Sequence, residues 1–290
     1  MSKKSIKLKS SLGRAINPKY RTNLILIIIT PILGIIAGAY SLFTGNELWT
    51  AIQAGFWTSA ASFQTWAIAR EIDPDNDWSA FVAIAAIVLA MFALNFPAYS
   101  IIALAVMLFC LRIVNRIVGF PCARNDSIFV IILVLIAAFF DSWLIGLVAA
   151  LAFFLDAIMS QPHRQHLYFA GASLLIVIVR GIINLGETGS ISTTYLIVTV
   201  VMGIFYILTM LANRFVTTKT DIKAKPLDIK RIRATMALAL VAVIIIALWR
   251  GDNGVLAMSP LWAAMLGISI YRLPITIREL TTFNKARQKA

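Results

Sequence analysis

Charge is scarce in this chain, and so is the chemistry that charged residues carry. Only 13% of its 290 residues are Asp, Glu, Lys or Arg, against about 25% in ordinary soluble domains. Two histidines and two cysteines exclude a disulfide-stapled scaffold, and the histidine pair at i, i+3 supplies only two ligands, which do not make a zinc site. Cys110 and Cys122 are expected to be reduced thiols. No phosphate-binding glycine loop, serine elbow or nucleophile–base pair can be read as a motif. The period-2 alternation of a membrane β-barrel is missing as well. Helices are then the remaining way to satisfy backbone polar groups inside lipid.

What the chain has in abundance is apolar surface. It is 60% hydrophobic, with a mean hydropathy of +0.86. A helix rising 1.5 Å per residue needs about 20 residues to cross a ~30 Å hydrocarbon layer. Ten runs approach that length: Leu24–Phe43, Trp49–Ile68, Trp78–Leu94, Ala98–Val118, Ser127–Phe140, Ser142–Met159, Leu167–Ile183, Thr194–Asn213, Ala234–Trp249 and Val255–Tyr271. The chain is therefore expected to be an all-α, polytopic integral membrane helix bundle of about ten transmembrane helices, in the cell membrane. Its basic start and Ala37-Gly38-Ala39 resemble a signal peptide. The first run exceeds the usual core of about 7–15 residues, however, and reads as a retained span.

Basic residues fix an orientation. Seven lie in the N-terminal tail, one follows span 2, three end or follow span 4, and one follows span 6. Seven more lie between spans 8 and 9, and five follow span 10. This places 24 of 26 on one side and leaves Arg180 and Arg250 on the other, so both termini are expected to be cytoplasmic. Merging spans 5 and 6 into one long helix would divide the cations evenly, 13 to 13; ten crossings are preferred. Asp141-Ser142 also suits a turn and a helix cap. Residues 1–23 then form a basic cytoplasmic tail, 24–271 a single transmembrane domain with a basic cytoplasmic loop at 214–233, and 272–290 a second basic tail. The loop at 214–233 reads mainly as topogenic, with an interfacial segment as the alternative.

The net charge of +13 does not point to nucleic acid, because the cations flank apolar runs and form no basic domain. Anionic lipid headgroups are the expected counter-charge, worth about 1 kcal/mol per well-placed cation.

Acidic residues contribute little to topology, so the stretch Arg70-Glu71-Ile72-Asp73-Pro74-Asp75-Asn76-Asp77 needs another reason. Glu71, Asp73, Asp75 and Asp77 are candidate ligands for Mg²⁺, which favours one or two carboxylates plus substrate phosphates. A solvated turn with Asp77 capping span 3 explains them equally well. Arg112, Asn115 and Arg116 fall at i, i+3 and i+4, one face of a helix. With Arg70 they are candidates for gripping a phosphate or carboxylate; a structural clamp on Glu71 and Asp73, and interfacial arginines snorkelling to headgroups, are the alternatives. His163 and His166 read as a polar loop patch. Asp156 should lie near the cytoplasmic end of span 6, and Arg180 is placed to pair with Asp141 or Glu187. In span 2, Gln53 and Gln64, and Thr58, Ser62 and Thr65, form polar rows that line a cavity or hold helices together.

Arg70-Glu71-Ile72-Asp73 is superficially similar, in sequence and position, to the first acidic loop of intramembrane prenyltransferases of the UbiA type. The Asn-Asp-x-x-Asp-x-x-x-Asp pattern is absent and no second acidic motif follows span 6, so membership is not inferred. The expected function is a membrane-embedded enzyme or lipid-processing protein. It would bind a phosphorylated or anionic lipid-like substrate at this cytoplasmic mouth. A secondary transporter of a small solute and a structural membrane partner are the alternatives.

Overall fold

In a computed structural model, which describes residues 11–14, 16–183 and 188–287 and side chains as far as residue 274, the chain is all-α. Ten helices follow one another: α1 (Arg21–Phe43), α2 (Leu48–Ile72), α3 (Ser79–Ala93), α4 (Ile101–Asn115), α5 (Arg124–Phe140), α6 (Ile145–Ile158), α7 (His166–Ile183), α8 (Thr193–Ala212), α9 (Ile229–Ala257) and α10 (Ser259–Arg287). Each overlaps a predicted span, and α9 also takes in the first residues of the tenth. By length and composition α1, α7, α8 and α9 are long and apolar enough to cross a membrane. The apolar helices α3, α4 and α6 are shorter, at 14–15 residues, or about 21–23 Å at 1.5 Å per residue.

The break expected at Asp141 is present, and α5 and α6 are separate helices. Other boundaries differ from expectation: α9 runs on to Ala257, past the predicted Trp249, and α10 continues to Arg287, so residues 272–287 extend a helix where a tail was expected. Helix α4 stops at Asn115 because Arg116 adopts the left-handed conformation, φ 52° and ψ 38°, which few residues other than glycine take readily. Helix α9 starts at Ile229, ahead of the predicted Ala234, because the Asp228 carboxylate caps it by accepting from the Lys230 amide. Arg231 and Arg233 are consequently helical, and the connection between α8 and α9 shortens to residues 213–228. At its far end α9 is broken at Gly251 (φ 59°). A Cβ there would lie 2.0 Å from the Ser190 carbonyl oxygen, so only glycine fits.

Hydrogen bonds show how the helices run. Thr22 at the start of α1 and Arg70 at the end of α2 both reach Asp77, just before α3. Asn115 ends α4 and donates to Glu71 near the end of α2. Ser127 early in α5 meets His166 at the start of α7. Asp156 late in α6 meets Arg231 early in α9. Arg233 donates to the Asn213 carbonyl after α8, and Arg272 of α10 donates to Asp73. Odd-numbered helices therefore start, and α2, α4, α6 and α8 end, at the same end of the bundle, which α10 reaches at Arg272. Direction alternates along the whole chain.

Helix α2 packs on α1, α3, α4, α9 and α10, and α4 packs on α2, α5, α6 and α9, so α2, α4 and α9 form the centre. In the polar rows of α2, Thr58, Ser62 and Thr65 are buried, Ser62 donates back to the Thr58 carbonyl, and Gln64 donates to the Ile101 carbonyl of α4. Gln64 thus joins α2 to α4, whereas Ser62 bonds within α2 and the Thr58 and Thr65 hydroxyls are buried without a hydrogen-bond partner. The outer faces of α1, α7 and α8 expose large aliphatics, among them Ile35, Leu175, Ile182 and Leu211. Contiguous apolar faces of this kind mark a surface that meets something other than water.

Candidate functional site

The end of the bundle where α2, α4 and α6 terminate carries almost all of the ionic contacts. Each carboxylate expected to bind a metal has its own protein partner. Buried Glu71 accepts from Arg112 Nε at 2.9 Å and Asn115 Nδ2 at 3.0 Å, and Arg14 Nη1 lies 3.4 Å away. Asp73 takes a two-point contact from Arg272, and both its oxygens accept from Asn76 Nδ2 at 3.1 Å. Asp77 pairs with Arg70 at 2.8 Å. Asp75 accepts from the amides of Thr217 and Thr218 and from the Thr218 hydroxyl. Among the described residues no group of three or more His, Cys, Asp or Glu is gathered as a metal-ligand set.

The expected arginine face divides in two. Arg112 and Asn115 turn to Glu71, while Arg116, swung off the helix by its left-handed backbone, turns to Asp156. A shared face was expected because the i, i+3, i+4 spacing assumes that α4 continues through Arg116. Glu71 with Arg112 and Asn115 is thus a clamp between α2 and α4. Asp73 is clamped separately, to α10.

Arg70, Arg112 and Arg14 converge on a cavity of about 560 Å³. Its polar rim also includes Glu71, Asp77 and Asp221, and its wall includes Phe63, Trp66, Leu108 and Phe109. Arg14 closes one side by contacting both Glu71 and Asp221. The Arg70 guanidinium lies 5.6 Å from the Trp66 ring centroid. Two buried donors here have no partner, Arg70 Nε and Trp66 Nε1. Buried polar atoms are normally satisfied, and these two donors are not. Arg116, Asn115, Asp73 and Asp75 do not line this cavity.

The second ionic centre was not anticipated. Fully buried Asp156 accepts from Arg116 Nε and Nη2, both at 2.7 Å, and from Arg231 Nη1 at 2.7 Å. His166 Nδ1 lies 2.7 Å from Asp156 Oδ2, and His166 Nε2 is 3.2 Å from Ser127 Oγ. His166 is not a loop residue: it opens α7 and is wholly buried. The order Ser–His–Asp matches a catalytic relay, although no nucleophile–base pair was legible as a motif. Burial of all three side chains keeps substrate from Ser127. Two guanidiniums share the carboxylate whose charge would otherwise support the imidazole. We read the centre as a junction joining α4, α5, α6, α7 and α9. Arg116 Nη1 and Arg231 Nη2 further fix the turn after α6 by donating to the Gln161 and Ser160 carbonyls. Cys122 and Cys110 remain buried thiols, and Ser127 Oγ lies 3.4 Å from Cys122 Sγ.

At the opposite end, Arg180 packs on the Phe139 ring and donates to the Ala138 carbonyl, while Asp141 faces Arg250. The Arg180–Asp141 pairing is thereby corrected; Glu187 lies outside the described residues.

Asp75 pins the 213–228 connection. Burial by itself would raise its pKa, but bonds from the Thr218 hydroxyl and the Thr217 and Thr218 amides hold it below the usual carboxylate range. A depressed folded-state pKa contributes stability above the unfolded value of about 3.9, lost as pH falls through the lower folded value. Asp75→Ala is expected to release the connection at neutral pH and raise tryptic cleavage after Lys219 and Lys223 about tenfold or more, with helix content unchanged. Unchanged cleavage would show that Asp75 does not hold the segment.

No family model matches the sequence, and neither the curated proteins nor the solved structures searched contain a significant match.

Proposed function

We propose that this chain is a ten-span integral membrane protein of the cell membrane, with both termini cytoplasmic, that binds an anionic lipid-like molecule in the Arg14–Arg70–Arg112 cavity. The membrane reading is supported by four helices of spanning length and composition, by the alternation of all ten, and by the 24-to-2 distribution of cations. The cavity opens at the cation-rich end of the bundle.

The observation that carries the ligand class is the pairing of guanidiniums with an aromatic and aliphatic wall in one cavity. An amphiphile meets both halves: its phosphate or carboxylate faces the arginines, and its chain lies against Phe63, Trp66, Leu108 and Phe109. The rim carboxylates balance the three arginines, so an anion must displace something. Asp221 is the group to displace, because its bond to Arg14 is part-exposed and such pairs are worth about 0–1 kcal/mol. The N-terminal tail, with seven cations and no acidic residue before the first span, supplies further positive potential. With Glu71, Asp73, Asp75 and Asp77 committed to protein donors, this reading assigns Mg²⁺ no role.

Native mass spectrometry of the protein released from nanodiscs of phosphatidylcholine doped with phosphatidic acid tests this. The wild type is expected to retain phosphatidic acid selectively. Arg70→Ala should lower retention about tenfold or more, since a hydrogen bond to a charged group contributes ~1.5–3 kcal/mol. Equal retention of both lipids, or an undiminished ratio in the variant, would contradict the proposal.

A further inference from the structure

A second cavity, of about 260 Å³, lies at the opposite end of the bundle, where the α5–α6 turn meets the kink of α9. Asp141, Ser142 and Trp143 come from the turn; Trp249, Arg250 and Asn253 come from the kink. The two indoles meet edge to face, with centroids 5.3 Å apart. Two buried polar atoms have no hydrogen-bond partner, Ser142 Oγ and Trp249 Nε1. Ser142 is only 5% exposed, so bulk water does not serve it. Such groups carry a cost unless something bonds them.

The chemistry around the cavity narrows the ligand. One guanidinium faces one carboxylate, with Arg250 Nη1 3.5 Å from Asp141 Oδ1, so the cavity has no net charge and gives no preference to an anion. A zwitterion would have to separate that pair to use both charges. A hydroxyl needs no separation: it accepts from Trp249 Nε1 or Arg250 Nη1, and donates to Asp141 or Ser142. The aromatic faces of Trp143 and Trp249 suit an apolar C–H surface. The volume falls just below the ~300–1,000 Å³ of drug-sized pockets, which limits the occupant to about one ring.

We infer that this cavity is a binding site for a neutral polyhydroxylated ring, a monosaccharide either free or as the headgroup of a glycolipid. It is independent of the anionic-amphiphile cavity in position and in charge. Glycine and inorganic phosphate serve as the zwitterionic and anionic controls.

The test uses full-length protein in phosphatidylcholine nanodiscs, free of sugar detergent, with tryptophan fluorescence as the readout. Titration with glucose or with octyl glucoside is expected to give a saturable change. A response to free glucose identifies a soluble sugar as sufficient; a response to the glucoside alone identifies a headgroup site. Ser142→Ala and Trp249→Phe should each raise the half-saturating concentration about tenfold, the equivalent of ~1.4 kcal/mol. Ser142→Ala should not lower the unfolding temperature, since Oγ bonds nothing in the protein and its removal relieves an unpaired buried group. Asn253→Ala, at an exposed position, gives the same reading if a buried variant does not fold. The inference is overturned if neither sugar gives a saturable response, if the variants respond like the wild type, or if glycine or phosphate saturates the same signal.

Discussion

Asp156→Ala is expected to cost about 3–5 kcal/mol of stability, the range for removing one member of a buried ion pair, and to lower the folded yield sharply. The carboxylate is fully buried and takes three guanidinium bonds at 2.7 Å. Without it, Arg116 and Arg231 face one another inside the bundle with no counter-charge. Arg116 would also lose what holds its left-handed backbone, a conformation that costs an L-residue roughly 1–2 kcal/mol. A double-substitution cycle separates this from simple loss of packing. Adding Arg231→Met to Asp156→Asn should recover part of the loss, because the second change removes a charge that the first stranded. Strict additivity in guanidine or thermal unfolding would show that the junction is not an electrostatic unit.

Gly267→Ala should likewise destabilise, against its intrinsic preference. In a helix interior alanine is favoured over glycine by about 0.8–1.0 kcal/mol. Here a Cβ would lie 2.4 Å from the Ala83 backbone, at one of the most extensive helix contacts in the molecule, between α3 and α10. Backbone cannot yield as a flexible side chain can, and overpacking costs typically ~1–3 kcal/mol. Gly203 of α8 is the control: nothing lies within 4 Å of a Cβ built there, so Gly203→Ala should be neutral or stabilising. Opposite signs for the two substitutions in one thermal-unfolding experiment are the expected result. Equal gains would mean that α3 and α10 are not in contact at Gly267.

The helices were legible because apolar runs of this length have few other uses, and Asp141-Ser142 marked the α5–α6 break. The end of α4 was not, because nothing in the residue type of Arg116 announces a left-handed backbone. That one dihedral decided the site: it sent Arg116 to Asp156 and left Arg112 and Asn115 with Glu71. The Asp156 junction was missed for a different reason. Its members lie 40, 10 and 75 residues from Asp156, at Arg116, His166 and Arg231, so no local spacing joins them. The available signal was parity: alternating helices place the end of α4, the end of α6, and the starts of α7 and α9 at one end. A buried acid there needs the nearest arginines. The same parity brings Arg272 to Asp73 across 199 positions. The cavity was half legible, since Arg70 and Arg112 were selected from sequence, whereas Arg14, Trp66 and Asp221 became members only through folding.

The most direct measurement of ligand binding in the Arg14–Arg70–Arg112 cavity is photo-crosslinking with a phosphatidic acid carrying a photoreactive acyl chain, in nanodiscs, with labelled peptides mapped by mass spectrometry. The prediction is concentrated labelling at Phe63 and Trp66 of α2 and at Leu108 and Phe109 of α4, competed by unlabelled phosphatidic acid and lost in Arg70→Ala. Labelling confined to the outward aliphatic faces of α7 and α8, indifferent to competitor and to Arg70, would contradict it.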